Sequence, residues 1–329
     1  MAATSSEFHD SNINNDGLPL VFYHCSQKYR GIPFREWIGT RYRLLEPSDS
    51  TFPTLSCSVR VLLCVGISEV TSEILDQLPS LECVVGSSVG VNHIDVAECC
   101  RRGIKVTSAG DAFTEDVADY AVGLLIDVLR RLSSADRFVR DGMWPVKGEY
   151  PLGLKLGRKQ VGIVGLGSIG SEIAKRLEAF GCIISYNSRK KKEHVTFPYY
   201  ETIHDLARNS DALIVCCTLT NETHHLINKE VMEALGKTGV IVNVGRGPLI
   251  DEKELVQSLL HRKIGGAALD VFENEPHVPE ELLALNNVVL SAHKAVTTPE
   301  SFSALVRVIV GNLDAFFAKQ PLLSEVEPI

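Results

Sequence analysis

Val161-Gly162-Ile163-Val164-Gly165-Leu166-Gly167-Ser168-Ile169-Gly170-Ser171-Glu172-Ile173-Ala174-Lys175-Arg176-Leu177 reads as a strand, a glycine turn and a helix in direct succession. Gly165 permits the tight turn, Gly167 lets the backbone approach a pyrophosphate, and Gly170 lets the helix pack close to the strand. Leu166 completes the turn, and the N–H groups around Ser168 and Ile169 face an anion at the helix N-terminus. Glycine spacing alone is a weak signal; the flanking strand and helix give it weight as a dinucleotide site. A purely structural turn and a methyl-donor-binding α/β fold are the competing readings.

Short apolar runs repeat on both sides of this turn. After it, Cys182–Tyr186, Ala212–Cys217, Val240–Val244, Gly266–Leu269 and Val288–Leu290 read as strands beside Gln160–Val164, separated by helical stretches such as Ser171–Phe180 and Glu252–His261. Before it, Leu18–Tyr23, Val61–Val65 and Cys83–Val85 read as strands, with helical spacing over Glu69–Gln77 and Val96–Arg102. Runs this short and continuously apolar fit strands buried on both faces of parallel sheets. Repeated βα units predict doubly wound α/β folds. Two longer amphipathic helices are expected at Thr114–Arg131, with Thr114 as N-cap, and at Pro299–Phe317. Trp144–Gly157, with two Pro and three Gly, reads as a linker-like loop.

Composition bounds the alternatives. The chain has 329 residues, 45% hydrophobic and 22% charged, which is ordinary globular composition long enough for two domains. A formal net charge of −8 argues against nucleic acid or an anionic membrane as partner. The most apolar run, Ala121–Leu129, is far too short to cross a bilayer and carries Asp127. Nine cysteines, an odd number without a C-x-x-C pair, point to free thiols in a reducing, cytoplasmic setting. Residues 1–17 lack an apolar core and any Lys or Arg, and read as a disordered tail.

A site for NAD expects Asp or Glu about 20 residues beyond the turn, to hold the ribose 2′-OH. Here the strand ends Tyr186-Asn187-Ser188-Arg189-Lys190-Lys191-Lys192, with no acid until Glu193. Either this is a solvated basic loop, or Ser188, Arg189 and Lys190 favour the 2′-phosphate of NADP(H) over NAD(H). Three further residues follow strand ends: Arg246 in Val244-Gly245-Arg246-Gly247, Glu275 in Phe272-Glu273-Asn274-Glu275-Pro276, and His293 in Ser291-Ala292-His293. Ligands of open α/β sheets sit outside the carboxyl ends of the strands, where all three would converge. A histidine paired with a buried carboxylate can act as an acid near neutrality, and arginine clamps a carboxylate. Taken singly, each has an ordinary reading as a surface charge or loop residue; order and strand-end context set His293 apart from His224, His225, His261 and His277. No spacing of His, Cys or Asp suggests a metal site.

These motifs, with Ser87–Asp95, Thr114–Asp119, Cys217–Ile227, Asn243–Gly247 and Ala268–Pro276, resemble the D-isomer-specific 2-hydroxyacid dehydrogenase family, and within it the NADPH-preferring plant-type hydroxypyruvate/glyoxylate and hydroxyphenylpyruvate reductases. The interval of 29 residues from Arg246 to Glu275 (275 − 246) agrees with that family. The resemblance implies two Rossmann-like domains: a flavodoxin-like substrate domain over 18–113 plus 299–329, and an NADP-binding domain over 114–298 inserted in it. It implies reduction of a 2-keto acid with His293 as proton donor, Glu275 as its orienting partner and Arg246 as substrate clamp. Asp270 would hold the nicotinamide amide. Cys217, Thr218, Thr223, Val244 and Gly245 would line the cofactor cleft. Ser88, Val89 and Gly90 would hold the substrate carboxylate. A homodimer through the cofactor domain is implied too; the wall of the substrate pocket is expected from the loop around Gly66–Ser68 and from Trp144 of the partner subunit. A corepressor-like, dinucleotide-sensing interaction protein on the same fold is the alternative. Two departures stand out: Lys294-Ala295-Val296 replaces the usual glycine-containing segment after the histidine, and Cys217-Thr218-Leu219 replaces Cys-Pro-Leu.

Overall fold

A computed structural model describes residues 17–27, 31 and 33–326. All but the last residue of the expected N-terminal tail lies outside them. The chain forms two compact units, one of residues 1–110 and 305–329, the other of residues 111–304 inserted between those segments.

The first unit holds five strands: β1 (Leu20–Cys25), β2 (Arg43–Leu45), β3 (Val61–Val65), β4 (Cys83–Gly86) and β5 (Lys105–Thr107). All pair in parallel, in the order β2-β1-β3-β4-β5, which is the flavodoxin-like arrangement. Every residue of β3 is buried, as its unbroken apolar run requires of a central strand. One face packs Phe22, Leu62, Cys64 and Val84 against Leu75, Leu78 and Cys99. Asn312, fully buried, donates from Nδ2 to the Val308 carbonyl and Ser324 Oγ and accepts the Leu323 N–H, tying the last helix to the C-terminal strip. Strands β2 and β5, three residues each, are too short for a period to be read from sequence.

The inserted unit carries β6 (Gln160–Val164), β7 (Ile183–Asn187), β8 (Ala212–Val215), β9 (Val240–Asn243), β10 (Gly266–Leu269) and β11 (Val288–Leu290). They pair in parallel in the order β11-β10-β9-β8-β6-β7. Beyond β7 a single parallel bridge joins Tyr186 to Tyr199. Its hydrogen bonds run from Tyr186 N to Pro198 O and from Tyr200 N to Tyr186 O, both 2.9 Å. The strand order reverses between β6 and β8, and at such a crevice open sheets bind ligands. The helix Thr114–Arg130 packs on the helix Ser168–Ala179 and on β9 and β10, burying Val117, Ala118, Ala121, Leu124, Leu125 and Val128.

Several local expectations need correction. Phe113, not Thr114, is the N-cap of that helix; Thr114 is its first turn, with Oγ1 3.5 Å from Asp111 Oδ1. The helix after the glycine turn begins at Ser168 rather than Ser171, and the next strand is displaced by one residue from Cys182–Tyr186. Within Trp144–Gly157 a short helix forms over Trp144–Lys147, since proline is accommodated in a first turn. An unforeseen helix, Leu132–Arg140, follows Arg131, whose left-handed φ of 58° breaks it from its predecessor. Among the described residues no helix is long and apolar enough to cross a membrane.

Candidate active site

The glycine turn is held by sterics at both ends. Gly165 has φ of 98°, and a Cβ there would lie 2.6 Å from Cys217 Cα on the neighbouring strand end. A Cβ on Gly170 would run into the Gly165 carbonyl. At Gly167, by contrast, nothing stands within 4 Å of where a Cβ would be. Gly167 is also the N-cap of the helix Ser168–Ala179, and among the described residues no side chain caps it. Open space at Gly167 and a helix end rich in uncommitted N–H groups suit a pyrophosphate. Leu166 is buried beneath the turn while Gly167 and Ser168 are exposed.

The basic loop after β7 is braced from below. Asn187 Nδ2 donates to the carbonyls of Tyr200 (2.9 Å) and Glu201 (3.1 Å). Lys192 N donates to the buried Tyr186 hydroxyl at 2.8 Å, and the Tyr199 hydroxyl reaches Ser188 O at 3.4 Å. Ser188 Oγ donates to Lys190 O at 2.6 Å, and the Arg189 and Lys190 side chains are exposed.

After β8, Cys217 is packed in, and burial pushes its thiol up to about 11, so it stays neutral at physiological pH. Thr223 fastens the following turn: its Oγ1 donates to Thr218 O at 2.8 Å and accepts from Thr220 N at 2.7 Å. After β9, Val244 is buried. Asn243, 1% exposed, was not foreseen as a site residue; its Nδ2 donates to Arg246 O at 2.9 Å and its Oδ1 accepts Gly245 N at 3.0 Å. A buried asparagine ending a strand before Gly-Arg-Gly was the available signal. Arg246 Nη1 donates to Gly245 O at 2.8 Å. Gly247 is pressed onto the Phe272–Glu273 peptide so closely that a Cβ would overlap it.

Because β9, β10 and β11 are adjacent and parallel, the loops bearing Arg246, Glu275 and His293 leave the same edge of the sheet. Glu275 and His293 meet directly: His293 Nδ1 lies 2.9 Å from Oε2 and 3.1 Å from Oε1 of Glu275, and Oε1 also accepts Phe272 N at 3.2 Å. His293 occupies the left-handed region at φ 53° and donates its N–H to Asp270 O at 2.8 Å. Asp270 is 1% exposed. Its carboxylate accepts Ser291 Oγ (2.5 Å), Lys294 N (2.8 Å) and Ala295 N (3.0 Å). Ser291 Oγ in turn lies 2.5 Å from the Tyr120 hydroxyl. Asp270 therefore anchors the turn that presents His293, a task that its position in the sequence did not disclose.

In the first unit, Ser88, Val89 and Gly90 follow β4 at its carboxyl end. Ser88 Oγ donates to Gly90 O at 2.9 Å, and Val89 is 41% exposed. Among the described residues no group of three or more His, Cys, Asp or Glu side chains is disposed to hold a metal ion.

Parallel sheets with a glycine turn at the switch point, and a His–Glu pair beside an arginine on adjoining strand ends, define a dinucleotide-binding α/β enzyme. Residues 122–295 match the family described as D-isomer specific 2-hydroxyacid dehydrogenase, NAD binding domain. A glyoxylate/hydroxypyruvate reductase of Arabidopsis thaliana is 57% identical over 317 residues, covering 94% of this chain and 97% of its own. A hydroxyphenylpyruvate reductase of Plectranthus scutellarioides is 45% identical over 294 residues, covering 89% and 91%. The crystal structure of an NADPH-dependent glyoxylate/hydroxypyruvate reductase from Sinorhizobium meliloti, in complex with NADP and malonate, superposes with a TM-score of 0.86 at 37% identity, covering 94% of this chain and 96% of that one. This chain belongs to the D-isomer specific 2-hydroxyacid dehydrogenase family.

Proposed function

We propose that the protein reduces a 2-keto acid, of the glyoxylate, hydroxypyruvate or 4-hydroxyphenylpyruvate kind, to the D-2-hydroxy acid with NADPH. The observation that carries this reading is the His293–Glu275 pair at 2.9 Å, on the loops after β11 and β10, with Arg246 following the adjoining β9. A nicotinamide dinucleotide held at the glycine turn would supply the hydride for the carbonyl carbon. His293 gives the balancing proton to the carbonyl oxygen. Ionised Glu275 only accepts hydrogen bonds, so it fixes the proton on Nδ1 and leaves Nε2 to face the substrate. It also stabilises the imidazolium from which the proton departs. Arg246 clamps the substrate carboxylate and polarises the carbonyl, with the Val89 and Gly90 N–H groups and Ser88 assigned to the same carboxylate.

The pyrophosphate is assigned to Gly165–Gly170, and the adenosine side to the turn braced by Thr218 and Thr223. Val244, Gly245 and neutral Cys217 are assigned to the apolar wall of the cofactor cleft. Asp270 is assigned to the nicotinamide amide, its carboxylate being oriented by Ser291 Oγ and the Lys294 and Ala295 N–H groups. Saturable consumption of NADPH with any of these three keto acids is the expected result. Absence of turnover with every 2-keto acid would overturn the reading.

Preference for NADPH is assigned to Ser188, Arg189 and Lys190, supported by the exposed cations and the braced loop beneath them. A hydrogen bond to a charged group contributes about 1.5–3 kcal/mol, so Arg189→Ala is expected to lower kcat/KM for NADPH by about 10- to 100-fold. The value for NADH should stay within about threefold. Equal losses with both cofactors would refute contact with the 2′-phosphate.

We assign a homodimer through the inserted unit. Its support is a cluster of exposed apolar side chains on one stretch: Leu132, Val139, Trp144, Val146, Leu152 and Leu154, from 41% to 91% exposed. Such a concentration marks an interface more than a free surface. Light scattering at micromolar concentration is expected to return twice the chain mass, and a monomer would remove the assignment. A cytoplasmic setting fits nine free thiols, and imaging of the tagged full chain checks it.

A further inference from the structure

His225 has no part in the chemistry above, yet it stands where two of the segments used by that chemistry are joined. Its ring Nε2 lies 2.7 Å from Oε1 of Glu273, two residues before Glu275. The same oxygen accepts the Glu252 N–H at 3.1 Å, and Glu252 Oε2 accepts the Glu273 N–H at 3.2 Å, so the two glutamates are linked reciprocally. Glu252 is 9% exposed, and burial holds its carboxyl above the usual carboxylate range. On the other side of the ring, Nδ1 is 3.9 Å from Asp251 Oδ2.

The main chain makes the second half of the junction. His225 N donates to Pro248 O at 2.8 Å, Ile227 N to Leu249 O at 3.0 Å, and Asp251 N to Ile227 O at 3.0 Å. Residues 225–227 thus run as a strip along 248–251, directly after the turn that carries Arg246. His225 takes the left-handed conformation at φ 51° to do so, and its ring stacks on His224 at 4.0 Å. One residue, through its main chain on one side and its ring on the other, thereby spans from the Arg246 segment to the Glu275 segment, at a place where Gly247 already presses on Phe272.

We infer that His225 and Glu273 are a positioning pair for the reaction, holding the segments of Arg246 and Glu275 in register. The inference rests on the proposed 2-keto acid reduction. Neither side chain is assigned to substrate or cofactor. Their effect is on where the arginine clamp stands, and a displacement of an ångström in such a group costs up to about 100-fold.

The test compares His225→Asn with His225→Gln. Asparagine tolerates the left-handed backbone but is too short to reach Glu273; glutamine keeps an N–H near the place of Nε2. The expected result is that His225→Asn raises KM for the keto acid about tenfold while KM for NADPH stays within about twofold. His225→Gln is expected to return KM to within about threefold of the unmodified protein. Equal KM values in the two variants would overturn the pairing, as would a loss of kcat and Tm with KM for the keto acid unchanged. Failure of the unmodified protein to turn over any 2-keto acid is a different result, removing the reduction itself and with it the pair's role. Full turnover by His225→Asn removes the pair alone.

Discussion

His293→Asn is expected to lower kcat for keto-acid reduction by about 1,000-fold, within the range of about 10²- to 10⁴-fold that a positioned general acid supplies. Asparagine is the informative replacement because position 293 has a positive φ, which asparagine adopts more readily than alanine. The turn is fixed by Asp270 through its own main-chain and Ser291 contacts, so it survives the change. A fall in kcat with unchanged NADPH affinity and unchanged Tm therefore isolates the proton. Stopped-flow binding of NADPH and steady-state kinetics make the measurement. Retention of activity within about threefold would remove His293 as the acid.

The second large effect is expected at Arg246. Two charge-assisted hydrogen bonds to a carboxylate contribute about 3–6 kcal/mol, so Arg246→Ala should reduce kcat/KM for the keto acid by about 10²- to 10⁴-fold. Both KM and kcat should move, since the guanidinium is assigned to binding the carboxylate and to polarising the reacting carbonyl. The turn itself is shaped by Asn243 acting on the Arg246 carbonyl and the Gly245 N–H, so truncating the side chain leaves it intact. Arg246→Lys keeps the charge but not the planar fork, and should recover only part of the loss. A kcat/KM within about threefold of the unmodified protein for Arg246→Ala would show that the clamp lies elsewhere.

The central strands were legible because burial on both faces writes itself as an unbroken apolar run; Val61–Val65, Gln160–Val164 and Gly266–Leu269 have the same bounds in sequence and structure, as does the outer strand Val288–Leu290. The two outer strands of the first unit were not legible. Arg43–Leu45 and Lys105–Thr107 are half-polar and three residues long, and neighbours rather than composition make them strands. The glycine turn could be read from its place between strand and helix: Gly165 answers demands of φ and of the neighbouring strand, Gly170 the close approach of the helix, and Gly167 leaves the open space. Glu275 and His293 were legible as strand-end residues, and they do touch. Two supports escaped: Asn243, whose local signal three residues before Arg246 was there to be read, and Tyr120, which reaches Ser291 from a helix 171 residues earlier. A hydrogen bond over so long an interval as the second leaves no local pattern.

The two sheets have four outer strands, and their dimensions have a consequence for behaviour at high concentration. Strands β2, β5 and β11 are three residues long, and β5 is further met by Glu325 through an antiparallel bridge to Thr107. The one longer border, β7 with five residues, is covered where Pro198 and Tyr200 bond to Tyr186. That cover is a short strip with proline at its head, which lacks an N–H to offer another chain. Neither sheet, among the described residues, offers a long bare border on which a second molecule could template cross-β growth.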